Sequence, residues 1–141
     1  MSPARPTLQR LVAATAVAMV ALLAASWLIG RLLPADWQDL MQTRWGYLSP
    51  ISYGVTLLCM ALGGALAGRR FLIIAVGLTL VMWVATLSVV AGIAGSASDV
   101  SYPLDFLLRT NLLSAVLSLA AAALGAWLGA RWYQRRATDI N

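Results

Sequence analysis

Residues 49–93 read SPISYGVTLLCMALGGALAGRRFLIIAVGLTLVMWVATLSVVAGI. Arg69 and Arg70 stand side by side as the only charged residues in this stretch, and the apolar run on each side of them is near the ~20 residues that a helix needs to cross a bilayer. Ser49-Pro50 opens the stretch as a capping residue followed by proline at the first helical position, where a missing N–H costs nothing. One span is therefore expected over 50–68 and another over 71–93. With only residues 69–70 between them, they form a tight antiparallel hairpin whose tip carries two arginines.

A further apolar run, Leu11 to Gly30, lies between Arg10 and Arg31 and reads as the first span, 11–30. A cleaved leader is the alternative, since Arg5 and Arg10 resemble a positive n-region and Ala24-Ala25-Ser26 offers small residues. The apolar core, however, exceeds the ~7–15 residues usual in such segments. Residues 31–49 are more polar and read as a loop. Within it Trp37, Leu40, Met41, Trp45 and Leu48 recur at helical spacing, with Asp36, Asp39 and Thr43 between, as in a short helix lying among headgroups. A binding site there is the alternative.

Gly92, Gly95, Ser96, Ser98 and Asp99 mark the passage into a second loop, 94–105, in which Pro103 and Asp105 announce a helix start, a carboxylate suiting the positive end of the dipole. The fourth span is expected over 106–130. Residues 1–10 read as a cytoplasmic N-terminal segment, and the tail, 131–141, looks too short to fold alone.

Composition agrees with lipid as the solvent. Apolar residues make up 61% and charged residues 11%, against roughly 45–50% and about 25% in soluble domains. The net charge of +5 comes from arginine against aspartate; the chain has no Lys, Glu or His. A nucleic-acid partner is not expected, because a nucleic-acid reader gathers its basic residues on a soluble face, whereas these arginines punctuate apolar runs. Arg5, Arg10, Arg69, Arg70, Arg131, Arg135 and Arg136 fall on one side of a four-span topology. Arg31, Arg44 and Arg109, offset by Asp36, Asp39, Asp99 and Asp105, fall on the other. The arginine-rich side is expected to be cytoplasmic, with both termini inside; the Arg-for-Lys, Ala-rich composition and brevity of the chain point to a bacterial inner membrane.

The second span ends Ala61-Leu62-Gly63-Gly64-Ala65-Leu66-Ala67-Gly68-Arg69 and the fourth ends Ala123-Leu124-Gly125-Ala126-Trp127-Leu128-Gly129-Ala130-Arg131. The match is either a parallel repeat of two helical hairpins or a coincidence of Ala/Leu/Gly composition. Gly64 and Gly68, like Gly125 and Gly129, are four residues apart on one helix face, where another backbone can approach closely. Ala14/Ala18, Ala21/Ala25 and Ser26/Gly30 offer the same on the first span. On the fourth span Asn111, Ala115, Ser118, Ala122, Gly125 and Gly129 draw a seam of small and polar residues. It is expected to face protein, because an unpartnered amide or hydroxyl in hydrocarbon is costly.

One cluster invites a chemical reading: Asp105, Arg109, Asn111, Ser114 and Ser118. It is either a contact site for an anionic or zwitterionic ligand, or an interfacial ion pair (Asp105 with Arg109, one turn on) above an interhelical hydrogen-bond ladder. Enzyme chemistry is not expected. A serine nucleophile lacks a His or Lys base, the glycine segments lack the lysine of a phosphate loop, and a single cysteine, Cys59, forms no intramolecular disulfide or cysteine-based metal cluster. No cofactor is expected. Small multidrug transporters also have four short helices but carry a glutamate in the first span, and none stands between Arg10 and Arg31 here. The sequence thus predicts an all-α membrane protein, a compact four-helix bundle acting through helix packing with another membrane protein or with itself. A small transporter or channel subunit is the alternative.

Overall fold

A computed structural model of the chain describes residues 8–34, 41–43, 46–97 and 104–139. Helix α1 spans Leu8–Leu32. A last backbone bond, from the Leu33 N–H to the Ile29 carbonyl at 3.1 Å, precedes Pro34, which has no N–H with which to continue the ladder. The covered positions of α1 are Leu11, Ala14, Thr15, Ala18, Ala21, Leu22, Ala25 and Ile29, one stripe at spacings of three and four, and the rest is exposed. Ala14 and Ala18 are fully buried. The third small pair of this helix makes no close contact: Ser26 is exposed and Gly30 has open space where a side chain would lie.

The loop helix expected around Met41, Trp45 and Leu48 is not formed over its described part. Met41–Thr43 is strand β1 and Gly46–Leu48 is strand β2, paired antiparallel with Met41 opposite Leu48 and Thr43 opposite Gly46. Trp37, Leu40, Arg44 and Trp45 lie outside the described residues. Helices shorter than about 12–15 residues are marginal without tertiary support, and Gly46 disfavours one further. Extended chain instead lets the two strands exchange backbone bonds, and β2 also packs on the last helix.

Helix α2, Pro50–Ala67, starts at Ser49 in an extended conformation with proline just inside. The Ser49 side chain does not cap the helix; its hydroxyl bonds to Ser52 Oγ at 2.9 Å. At the other end Gly68 takes φ +70° and ψ −157°, a backbone conformation open essentially to glycine alone. Its N–H donates to the Gly64 carbonyl, a 3-10 turn over Gly68–Arg70 follows, and helix α3, Phe71–Ala97, begins. The Phe71 ring folds back against Gly63. Ser52, Thr56 and Met60 of α2 line one cleft with Leu78, Met82 and Thr86 of α3, so the helices run in opposite directions.

Helix α4 covers Leu104–Asp139. The expected break after Ala130 is absent: Arg131 to Ala137 contains no Gly or Pro, and Arg, Gln and Ala are good helix formers. Residues 131–139 therefore continue the helix rather than forming a separate tail.

The most extensive packing is between α2 and α4, followed by α1 on α2 and α3 on α4. Ala14, Ala18, Met60, Ala67, Phe71, Ala75, Ala122 and Ala126 form the core, with only Met60 and Phe71 large. Small residues dominate because lipid is as apolar as leucine, and helices associate there through close backbone approach. Beyond Leu80, α3 keeps only Trp83, Leu87 and Ala91 partly covered up to Ile93. Three stretches, Leu8–Leu32, Pro50–Ile93 and Phe106–Arg135, are long and apolar enough to cross a membrane, and together they form an almost entirely helical membrane protein.

Candidate functional site

The contact between α2 and α4 is made of backbone. A Cβ at Gly64 would collide with the carbonyl of Ala126, one at Gly125 with the carbonyl of Leu57, and one at Gly129 with the carbonyl of Ala61 and the amide of Ala65. Gly68 faces the Tyr133 ring. All four glycines singled out in the sequence thus lie between these two helices. The contact points advance together along both chains, from Leu57 with Gly125 to Gly68 with Tyr133, so α2 and α4 run parallel. The equivalence within the sequence repeat is only partial. Gly64 meets its counterpart Ala126, whereas Gly63 holds the Phe71 ring and its counterpart Gly125 holds the Leu57 backbone.

Higher on the same seam the polar groups turn mainly to their own helix. The Asn111 amide donates to the Leu107 carbonyl at 2.9 Å and the Ser118 hydroxyl to the Ser114 carbonyl at 2.8 Å. Between helices, Ser114 Oγ and the Tyr53 hydroxyl lie 2.7 Å apart. Tyr53 also receives the Ser49 backbone N–H on its hydroxyl at 3.5 Å, which ties the start of α2 to α4. Of Asn111, Ser114 and Ser118, Ser114 thus supplies a rung of the expected ladder, while Asn111 and Ser118 donate within their own helix. Arg109 is exposed on α4, and the Asp105 side chain lies outside the described residues. Tyr53 went unnoticed in the sequence although a phenol within a span needs a partner for its O–H.

Next to this rung is a cleft of about 310 Å³, lined by Ser52, Thr56, Thr79, Thr86 and Ser118 together with Met60, Met82 and Trp83. Thr56 donates to the Ser52 carbonyl, Thr79 to the Ala75 carbonyl and Thr86 to the Met82 carbonyl, each at 2.8 Å. With their protons committed to backbone, these hydroxyls retain acceptor lone pairs. Chemically the cleft suits a hydrogen-bond donor or a weakly hydrated cation. Among the described residues every buried side-chain nitrogen and oxygen has a hydrogen-bond partner. Comparison with family models, curated proteins and solved structures finds no match, so these geometries alone support a functional reading.

Proposed function

We propose that this protein is a non-enzymatic, four-crossing protein of the bacterial cytoplasmic membrane. In this reading it is a compact bundle of two helical hairpins that serves as an accessory, assembly or regulatory component of another membrane protein or of its own oligomer. The carrying observation is the use of the α4 seam: Gly125 and Gly129 are closed against the α2 backbone, and the polar residues above them are satisfied within the molecule. A seam used in this way supports packing rather than conduction.

Four crossings rest on the middle stretch. As one straight helix, its 44 residues would extend about 66 Å, twice the ~30 Å of hydrocarbon. Gly68 and the fold-back of Phe71 on Gly63 split it into α2 and α3 instead. The positive-inside rule then supports cytoplasmic termini. Native expression, gentle solubilisation, sizing and mass spectrometry test the functional reading. A membrane protein recovered at fixed stoichiometry, or a discrete homo-oligomer, is expected; a monomer without a partner contradicts it.

The hydroxyl-lined cleft favours a second reading, a small transporter or channel subunit. Purified protein in vesicles would then carry monovalent cations or small hydrogen-bond donors. Such flux would fall with Thr56→Val and with the seam variants Asn111→Leu and Arg109→Ala, and an absence of flux for all of them removes this reading.

A further inference from the structure

We infer that the hydroxyl-lined cleft between α2 and α3 is a binding site for a small uncharged solute rich in hydrogen-bond donors, such as a polyol. The inference rests on the transporter reading above, of which it names the substrate class.

Two columns of side chains form the cleft. Ser52, Thr56 and Met60 follow one another at steps of four on α2, and Thr79, Trp83 and Thr86 at steps of four and three on α3. Because the helices run in opposite directions, the columns pass from Met60 and Thr79 at the inner end to Ser52 and Thr86 at the outer end. Ser118 adds a hydroxyl from α4. Counted from Phe71 along α3, Thr79 lies about 12 Å and Thr86 about 22 Å up the helix. In the four-crossing topology the hydroxyls thus extend from near the middle of the ~30 Å hydrocarbon core toward its outer surface, a depth at which a polar group without a partner is costly. Thr79, at the inner end, is 7% exposed.

The direction of the hydrogen bonds selects the ligand. Thr56, Thr79, Thr86 and Ser118 each donate to the carbonyl one turn back at 2.8 Å, so each offers lone pairs to the cleft and no proton. Ser52 accepts from the Ser49 hydroxyl at 2.9 Å, which leaves its own proton for a ligand oxygen. A solute held here must bring donors, and a hydroxyl that both gives and takes suits Ser52 as well. Met60, Leu78, Met82 and Trp83 stand among these hydroxyls and give a carbon skeleton apolar surface to rest on.

Charge and size narrow the class. None of the described residues lining the cleft is charged. An ion would leave water there without a counter-charge, at a cost that a neutral solute escapes. The volume of about 310 Å³ is at the lower end of the ~300–1,000 Å³ of small-molecule sites, so the solute is small.

Saturation-transfer NMR of the purified full chain in lipid nanodiscs tests this, with xylitol as the probe and tetramethylammonium as the charged competitor. Xylitol is expected to receive saturation, and tetramethylammonium is expected not to displace it. A hydrogen bond to one hydroxyl is worth a factor of roughly 5, so Thr56→Val with Thr79→Val, which keeps the shape of the cleft, is expected to lower xylitol affinity by about 25-fold. Thr110 makes the same kind of bond, to the Phe106 carbonyl, outside the cleft, and Thr110→Val is expected to leave affinity unchanged. No saturation of xylitol by the unaltered protein overturns the inference without recourse to any variant. Displacement by tetramethylammonium, or an equal loss with Thr110→Val, overturns it as well. Xylitol flux into vesicles reads the transporter reading separately. Binding without flux removes that reading and leaves the site, whereas flux that survives both valine substitutions overturns the site and leaves the reading.

Discussion

At the scale of single residues, what matters is whether a Cβ has room. Gly129 and Gly77 are both helical glycines, yet a methyl at Gly129 strikes the Ala61 carbonyl while one at Gly77 meets nothing within 4 Å. Gly129→Ala is therefore expected to force α2 and α4 apart and to cost about 1–3 kcal/mol. Gly77→Ala is expected to stabilise by about 0.5–1 kcal/mol through lost backbone freedom. Unfolding titrations in mixed micelles give both signs, and equal effects at the two sites would contradict the packing described. Tyr53 and Ser114 form an interhelical hydrogen bond on the seam. A double-mutant cycle of Tyr53→Phe and Ser114→Ala is expected to return a coupling of about 0.6 kcal/mol and no more than ~1.7, the range of such bonds in lipid. A coupling of zero would mean that the rung does not hold the helices together.

At the scale of elements, the turn between α2 and α3 rests on two residues acting together. Gly68 supplies a backbone conformation that a side chain resists, and Phe71, fully buried, seats its ring on Gly63. Gly68→Ala is expected to cost about 1–3 kcal/mol and Phe71→Ala about 3–5 kcal/mol, both read as earlier unfolding in the same titration. Gly63→Ala drives a methyl into the Phe71 ring and acts in the same direction. An unchanged midpoint in Phe71→Ala would show that the hairpin is held by its lipid surroundings rather than by this contact. The strands at 41–43 and 46–48 carry the opposite lesson: apolar spacing suited a helix there, but the backbone pairs across a short connection and packs on α4.

For the whole molecule, the testable quantity is sidedness. In a Cys59→Ala background, single cysteines at positions 5 and 137 are expected to react with an impermeant maleimide only from the cytoplasmic side, and cysteines at 44 and 99 only from the other. Termini on opposite faces would indicate that the Pro50–Ile93 stretch crosses once, and would replace four crossings by three.

The sequence by itself determined that the chain is a set of long apolar helices and where the middle stretch is divided, but not where the last helix ends, which runs on to Asp139. Runs of about 20 apolar residues bounded by arginine are long enough to cross lipid, and Ser49-Pro50 and the Arg69-Arg70 pair mark where one span opens and closes. The glycine pairs were legible as packing surfaces for a similar reason, since spacing alone puts Gly125 beside Gly129 on one face. The partners of those faces were decided only by tertiary structure. Gly63 and Gly125 occupy the same place in a repeated motif, yet one receives a side chain and the other a backbone carbonyl. Ser26/Gly30 has the same small-residue spacing as Ala14/Ala18 and packs against nothing close. The hydroxyl cleft and the Tyr53–Ser114 rung bring together residues from helices far apart in the chain. Periodicity within one helix records which residues share a face, and the contact between helices, set by how closely two backbones can approach, chooses what that face meets.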